Sequence, residues 1–196
     1  MFDFYLLLKA FLSIFVIMDP FGGVTILLSL TKKQSVNERR QIIKKAVSIA
    51  AFILLLFILF GQGILNFFGV SLNSFRIAGG IILLIMGIEY VLDLRITRES
   101  LISYSIAVVP LATPLITGPG VITSTIIIVM QYGKFVAFIA AAISLLITFI
   151  IFYYSNIIYK FLGKQGNEIV SRLMGLILTA IAVEFIIQGI KGVFFP

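Results

Sequence analysis

Pro110-Leu111-Ala112-Thr113-Pro114-Leu115-Ile116-Thr117-Gly118-Pro119-Gly120-Val121-Ile122-Thr123-Ser124-Thr125 lies inside one long apolar run, from about Leu101 to Met130. A straight helix of that length would rise about 45 Å, well past the ~30 Å hydrocarbon core of a bilayer. The stretch contains three prolines and two glycines. Proline has no N–H to donate and its ring clashes with the preceding turn, so the helix is expected to break here. In a membrane, bare backbone is tolerated only where it is buried in protein or lines a cavity. The break is therefore the first place to expect a binding site.

The same device occurs earlier. Phe4 to Leu30 is also too long for a simple span, and Asp19-Pro20-Phe21-Gly22-Gly23 interrupts it. A shift of 99 residues lays Asp19-Pro20 over Gly118-Pro119 and brings Thr25 near Ser124. A single Pro or Gly in a membrane helix commonly marks a kink or close packing. Two Gly/Pro-interrupted segments at matching positions in two halves point instead to a transporter site.

Composition places the whole chain in the bilayer. Hydrophobic residues make up 61% and charged residues 12% of 196 positions, against about 45–50% and ~25% in soluble domains. There is room for six spans with short loops and none for a soluble domain. Cysteine and histidine are both absent, which removes disulfides, thiolate catalysis and the usual metal ligands. No metal, no organic cofactor and no enzymatic activity are expected, and any proton chemistry falls to carboxylates. The net charge of +7 lies in loops between apolar spans, so it reads as membrane topology rather than nucleic-acid binding. Met1-Phe2-Asp3-Phe4-Tyr5 shows neither a charged leader nor a cleavage site, and no removable signal peptide is read.

Taken in order, the first broken span is followed by the basic loop Thr31 to Lys45, which has six basic residues and one acid. Ser35 and Glu38 have capping-box spacing, which predicts a second helix from near Val36, in the membrane from Ala46 and ending near Asn66. A turn, Phe67 to Asn73, leads to a third span, Phe75 to Leu92. The loop Asp93 to Ser100 precedes the broken fourth span. Gln131 to Lys134 turns the chain into a fifth span, Phe135 to Tyr159. Lys160 to Arg172 is expected as a polar loop, and a sixth span ends near Gly192. The loops after spans 1, 3 and 5 carry 11 of the 15 basic residues. Positive-inside bias then puts those loops in the cytoplasm and both termini outside.

The third and sixth spans echo each other. Arg76-Ile77-Ala78-Gly79 matches Arg172-Leu173-Met174-Gly175, with Glu89 and Glu184 following at similar distances. A three-span unit copied in tandem must reverse its orientation. The expected fold is all-α: six transmembrane helices in two inverted repeats, 1–95 and 96–196, forming one transmembrane domain with helices 1 and 4 broken near the midplane.

At each break the residue pair suits an N-cap followed by the first helical position, where proline is favoured. The freed N–H groups of each second half-helix carry partial positive charge and hold carboxylates well. Inverted symmetry would aim the two ends at each other. Gly22, Gly23 and Gly120 would let a small ligand approach backbone, Thr25, Thr113 and Thr117 offer hydroxyls, and an ionised Asp19 suits an ammonium. The whole candidate set is Asp19, Pro20, Gly22, Gly23, Thr25, Thr113, Pro114, Thr117, Gly118, Pro119 and Gly120. It matches a small zwitterion. Capping alone is the plain alternative for Asp19. Acids within membrane helices cost roughly 2.5–3.5 kcal/mol on insertion scales and tend to be functional. Glu184, deep in span 6, is the first candidate for ion or proton coupling. Glu89 is the second, with snorkelling at a helix end as its alternative. The small residues Gly79, Gly80 and Gly175 suit packing either within the monomer or between copies in a homo-oligomer.

Asp19-Pro20-Phe21-Gly22-Gly23-Val24-Thr25, together with Pro110-Leu-Ala-Thr-Pro-Leu-Ile-Thr-Gly-Pro-Gly120, resembles the MarC/SnatA family of prokaryotic inner-membrane proteins over the whole chain. The resemblance implies a multi-pass inner-membrane transporter of small neutral amino acids, glycine and alanine being the associated substrates, driven by a proton or sodium gradient. Family members often carry Asn where Gly23 stands and Pro where Thr25 stands. An exporter or channel for other small polar metabolites is the rival on the same fold. A membrane enzyme pairing Asp19 with a glutamate is a remoter one.

Overall fold

The structure is a computed structural model that describes residues 4–92 and 111–194. Every element among the described residues is helical. The loop with Arg95 and Arg98, the start of the fourth span and Pro110 lie outside them. The elements are α1 (Phe4–Met18), α2 (Pro20–Leu30), α3 (Val36–Phe67), α4 (Leu72–Leu92), a π-wound turn (Leu111–Ile116), α5 (Pro119–Tyr153) and α6 (Ser155–Phe194). Among the described residues, five stretches are long and apolar enough to cross a membrane, one of them α1 and α2 together. The chain is a polytopic membrane protein.

The helix ends follow local chemistry. Ser35 caps α3 through the predicted box: its hydroxyl accepts from the Glu38 N–H, and the Glu38 carboxylate accepts from the Ser35 N–H. Along α3, residues 43, 46, 50, 54, 58, 61 and 65 form one buried stripe at helical spacing. The other faces are equally apolar yet open, with Phe52 62% and Phe60 58% exposed. That is a helix with protein on one side and lipid on the others.

Two glycines break α5 and α6. Gly133 (φ 84, ψ 164) and Gly163 (φ 67, ψ −178) adopt backbone angles essentially reserved for glycine. At Gly133 the chain turns back on α3. Before it, the π turn touches α3 and Ile126 packs against Gly61. After it, Lys134 Nζ donates to the Leu59 carbonyl at 3.0 Å, and Arg40 stacks on Tyr153. The predicted turn at Gln131 to Lys134 is thus present, built on one residue. The polar stretch Lys160 to Arg172, expected as a loop, is helical apart from Gly163. Charged side chains such as the Arg172–Glu168 pair, bridged at 2.6 Å one turn apart, sit on a helix as readily as in a loop.

Packing directions follow from the contacts. α1 runs alongside residues 134–153: Ser144 Oγ lies 3.4 Å from the Phe11 carbonyl, and Thr148 Oγ1 3.1 Å from Met18 Sδ. α4 and α6 are antiparallel and exceptionally close. Gly80 abuts the Ala182 carbonyl, Gly87 the Gly175 carbonyl and Gly189 the Asn73 carbonyl, and Asn73 Nδ2 donates to the Gly192 carbonyl at 2.7 Å. Gly80 and Gly175 therefore pack within the monomer. Gly79 packs against Thr123 of α5. Small residues let membrane helices approach to backbone contact, where van der Waals packing is strongest.

Candidate substrate site

Both breaks form where the prolines predict. Asp19 is the N-cap of α2 with Pro20 at its first helical position, and Gly118 is the N-cap of α5 with Pro119 in the same place. α2 touches both the π turn and α5, so the two interruptions are neighbours.

The first break is narrow. Asp19 alone leaves helical geometry, at φ 41 and ψ 63, the one non-glycine residue with positive φ among the described residues. Asp and Asn are the side chains that tolerate this left-handed region best. On one side the Asp19 N–H reaches the Phe15 carbonyl at 3.1 Å, and on the other its carbonyl accepts from Gly23 N–H at 3.0 Å. Its carboxylate Oδ1 accepts from the Gly22 N–H at 3.2 Å. Asp19 is only 4% exposed. Thr25 turns its hydroxyl inward, donating to the Gly22 carbonyl at 2.8 Å.

The second break is wide. Thr113 is extended (φ −138, ψ 128) inside the turn that also contains Pro114. Thr117 closes that turn, its N–H and its hydroxyl both donating to the Ala112 carbonyl at 2.9 and 2.7 Å. The N–H bond spans five residues, the signature of a π turn, which recurs at functional sites. Gly118 is extended (φ −68, ψ 167) and supplies no side-chain cap. The N–H groups of Gly120 and Val121 at the head of α5 thus lack the carboxylate that α2 has. Thr117, Gly118 and Gly120 are buried.

One helix touches both ends. On α4, Leu83 occupies the space where a Gly120 side chain would begin, and Thr123 covers Gly79. Further along the same face, the Tyr90 ring lies 3.2 Å from the position of a Gly22 Cβ, a place the Asp19 carboxylate also crowds. Gly22 and Gly120 therefore do not open bare backbone to a ligand as the sequence suggested: their missing side chains make room for Asp19, Tyr90 and Leu83. Leu83 and Tyr90 are seven residues apart, about 10 Å along the helix. That is the axial spacing of the two α4 residues that meet the half-helix ends.

The glutamates separate clearly. Glu89, next to Tyr90, is 7% exposed, so it does not snorkel. Glu184 lies exposed on α6, where its carboxylate accepts from Gln188 Nε2 at 2.7 Å. Glu89 is thus the buried acid and Glu184, the first candidate from the sequence, the exposed one. Tyr90 and Leu83 were missed altogether, because α4 is apolar on every face and nothing in its pattern says which side meets the breaks. Arg39 was likewise read only as loop charge. Its guanidinium donates to the Thr31 hydroxyl and carbonyl (2.7 and 3.0 Å) and to Asn156 Oδ1 (2.6 Å), tying the end of α2 to α6.

Comparison with known proteins agrees with this architecture. A family model described as "MarC family integral membrane protein" matches residues 4–194. A UPF0056 membrane protein of Methanocaldococcus jannaschii is 41% identical, covering 97% of this chain and 98% of its own length. One from Archaeoglobus fulgidus is 39% identical over 92% and 90%. The UPF0056 membrane protein YhcE of Escherichia coli is 34% identical over 98% and 95%. No solved structure matches the chain significantly. With matches that run nearly end to end through both Pro-capped breaks, this chain belongs to the MarC family of integral membrane proteins.

Proposed function

We propose that the chain is a secondary active transporter of small neutral amino acids, of the glycine and alanine type, working by alternating access in the cytoplasmic membrane with both termini outside. The observation that carries this reading is the pair of buried, Pro-started half-helices touching one face of α4. The uncapped N-terminus of α5 suits the substrate carboxylate. Asp19, at the head of α2, suits the ammonium. A spacing of about 10 Å between the two contact residues along α4 matches a small molecule better than a large one. Glu89, buried beside Tyr90, is the residue to couple transport to a proton or sodium ion.

The packing supports the inverted repeat on which alternating access depends. Exchanging spans 1, 2 and 3 for 4, 5 and 6 turns the contact of α1 with residues 134–153 into that of the π turn with α3. It turns the contact of α2 with α6 into that of the α5 head with α4. The α4–α6 and α3–α5 pairs map onto themselves.

The test is uptake of labelled glycine and alanine into proteoliposomes, with and without an imposed proton or sodium gradient. Saturable, gradient-driven uptake that Gly118→Leu abolishes in a folded protein is the expected result. Flux without saturation or counterflow would make it a channel. No uptake under either gradient, in either orientation, would sink the amino-acid assignment.

A further inference from the structure

The surface between α3 and residues 134–153 of α5 holds a feature that the transport site does not use. An apolar groove of about 460 Å³ opens there, lined by Val47, Ala51 and Leu55 from α3 and by Phe138, Ala142 and Phe149 from α5. From Val47 to Ile58 it extends about 16 Å along α3, half of the ~30 Å hydrocarbon core and so one leaflet deep. Its lining carries no charge, and alanines at Ala51, Ala141 and Ala142 hollow its floor.

One end of the groove is basic. The stripe that lines it on α3 continues backward at helical spacing through Lys44 to Arg40. On α5 the stripe continues forward from Phe149 to Tyr153, whose rings pack at 5.7 Å. The two continuations meet: the Arg40 guanidinium lies 4.4 Å from the centre of the Tyr153 ring. Arg40 Nε is buried without a hydrogen-bond partner, although Arg39 beside it is fully engaged by Thr31 and Asn156. Lys44, one turn nearer the groove, is exposed. A leaflet-deep apolar slot with cations at its interfacial end is complementary to a lipid that has an acyl chain and a negative headgroup.

We infer that this groove binds one anionic phospholipid, with an acyl chain along Val47 to Ile58 and its phosphate at Arg40 and Lys44.

The experiment is native mass spectrometry of the full chain in detergent, titrated with phosphatidylglycerol or with phosphatidylcholine of the same acyl chains. The wild type should retain one phosphatidylglycerol about tenfold more tightly than phosphatidylcholine, the increment expected from one to two basic side chains near a lipid headgroup. Arg40→Gln with Lys44→Gln should bring the two lipids to parity. Lys44→Gln alone, at an exposed position, should lower the preference severalfold without risk to folding. Ala142→Phe fills the slot without altering charge and should weaken retention of both lipids. Equal retention of the two lipids by the wild type would overturn the proposal, as would a preference that survives the double substitution. A dimer that Ala142→Phe dissociates would also overturn it, by giving the groove to a second copy of the chain.

Discussion

The two breaks share a plan, an N-cap followed by proline, but they differ in what fills the space in front of the helix. At the first, Asp19 folds its own carboxylate over Gly22 and holds that N–H. At the second, Gly118 brings nothing, and the chain leading up to it is opened by an extended Thr113 and a π turn. Each helix start carries the same partial positive charge. The first satisfies it internally with the Asp19 side chain. The second has no side-chain cap to satisfy it. That difference is what the proposed zwitterionic substrate would use, its ammonium at Asp19 and its carboxylate at the head of α5.

The comparison can be broken most severely by making the two ends alike. Gly118→Asp puts a carboxylate where the substrate's is proposed to sit, on a backbone already in the extended region that caps adopt. Uptake should fall below detection, while the added cap contributes only about a few tenths of a kcal/mol to stability. A thermal-shift assay beside the transport assay separates the two effects, and uptake that survives would remove the second break from the site. Next in size, Asp19→Asn keeps a competent cap but removes the charge. Transport should drop roughly tenfold to a hundredfold, the worth of a hydrogen bond to a charged group, with little change in melting temperature. If uptake persists, Asp19 is a cap and no more.

Two smaller changes sharpen the packing side. Gly120→Ala drives a methyl group into Leu83 and should cost about 1–3 kcal/mol of stability, typical of overpacking, readable as an earlier thermal transition. A neutral result would mean that α4 yields at the second break. Thr25→Val removes a hydroxyl that already donates to its own helix, and such back-bonding contributes little. Uptake should stay within about twofold and stability within about 0.5 kcal/mol; a large loss of uptake would bring Thr25 into contact with the substrate.

What the sequence revealed, it revealed through residues with fixed local chemistry. Asp19-Pro20, Gly118-Pro119 and the Ser35–Glu38 box each specify a helix start whatever surrounds them, and all three starts are found there. What stayed hidden was orientation. In a soluble helix the polar face announces the outside, but most of α4 and the part of α6 after Arg172 are apolar nearly all round. Nothing in the pattern distinguishes buried Glu89 from exposed Glu184, or singles out Tyr90 and Leu83. The helical Lys160 to Arg172 stretch misled for the opposite reason. Polarity there marks the emergence from the apolar spans, not the loss of helix.

The contact of α4 with both half-helix ends has a metric consequence. Leu83 and Tyr90 rest against Gly120 and Gly22, so a single rod carries both jaws of a caliper, and glycine-to-backbone seating on α6 keeps that rod from bowing. Its opening is counted in whole residues. Adding one between positions 83 and 90 would lengthen the gauge by only about 1.5 Å but swing one jaw about 100° around the rod. The spacing of the two contacts is therefore quantised. It cannot be widened gradually by insertion, and in the proposed transporter the substrate's length would be set by a helix that it need never touch along its full extent.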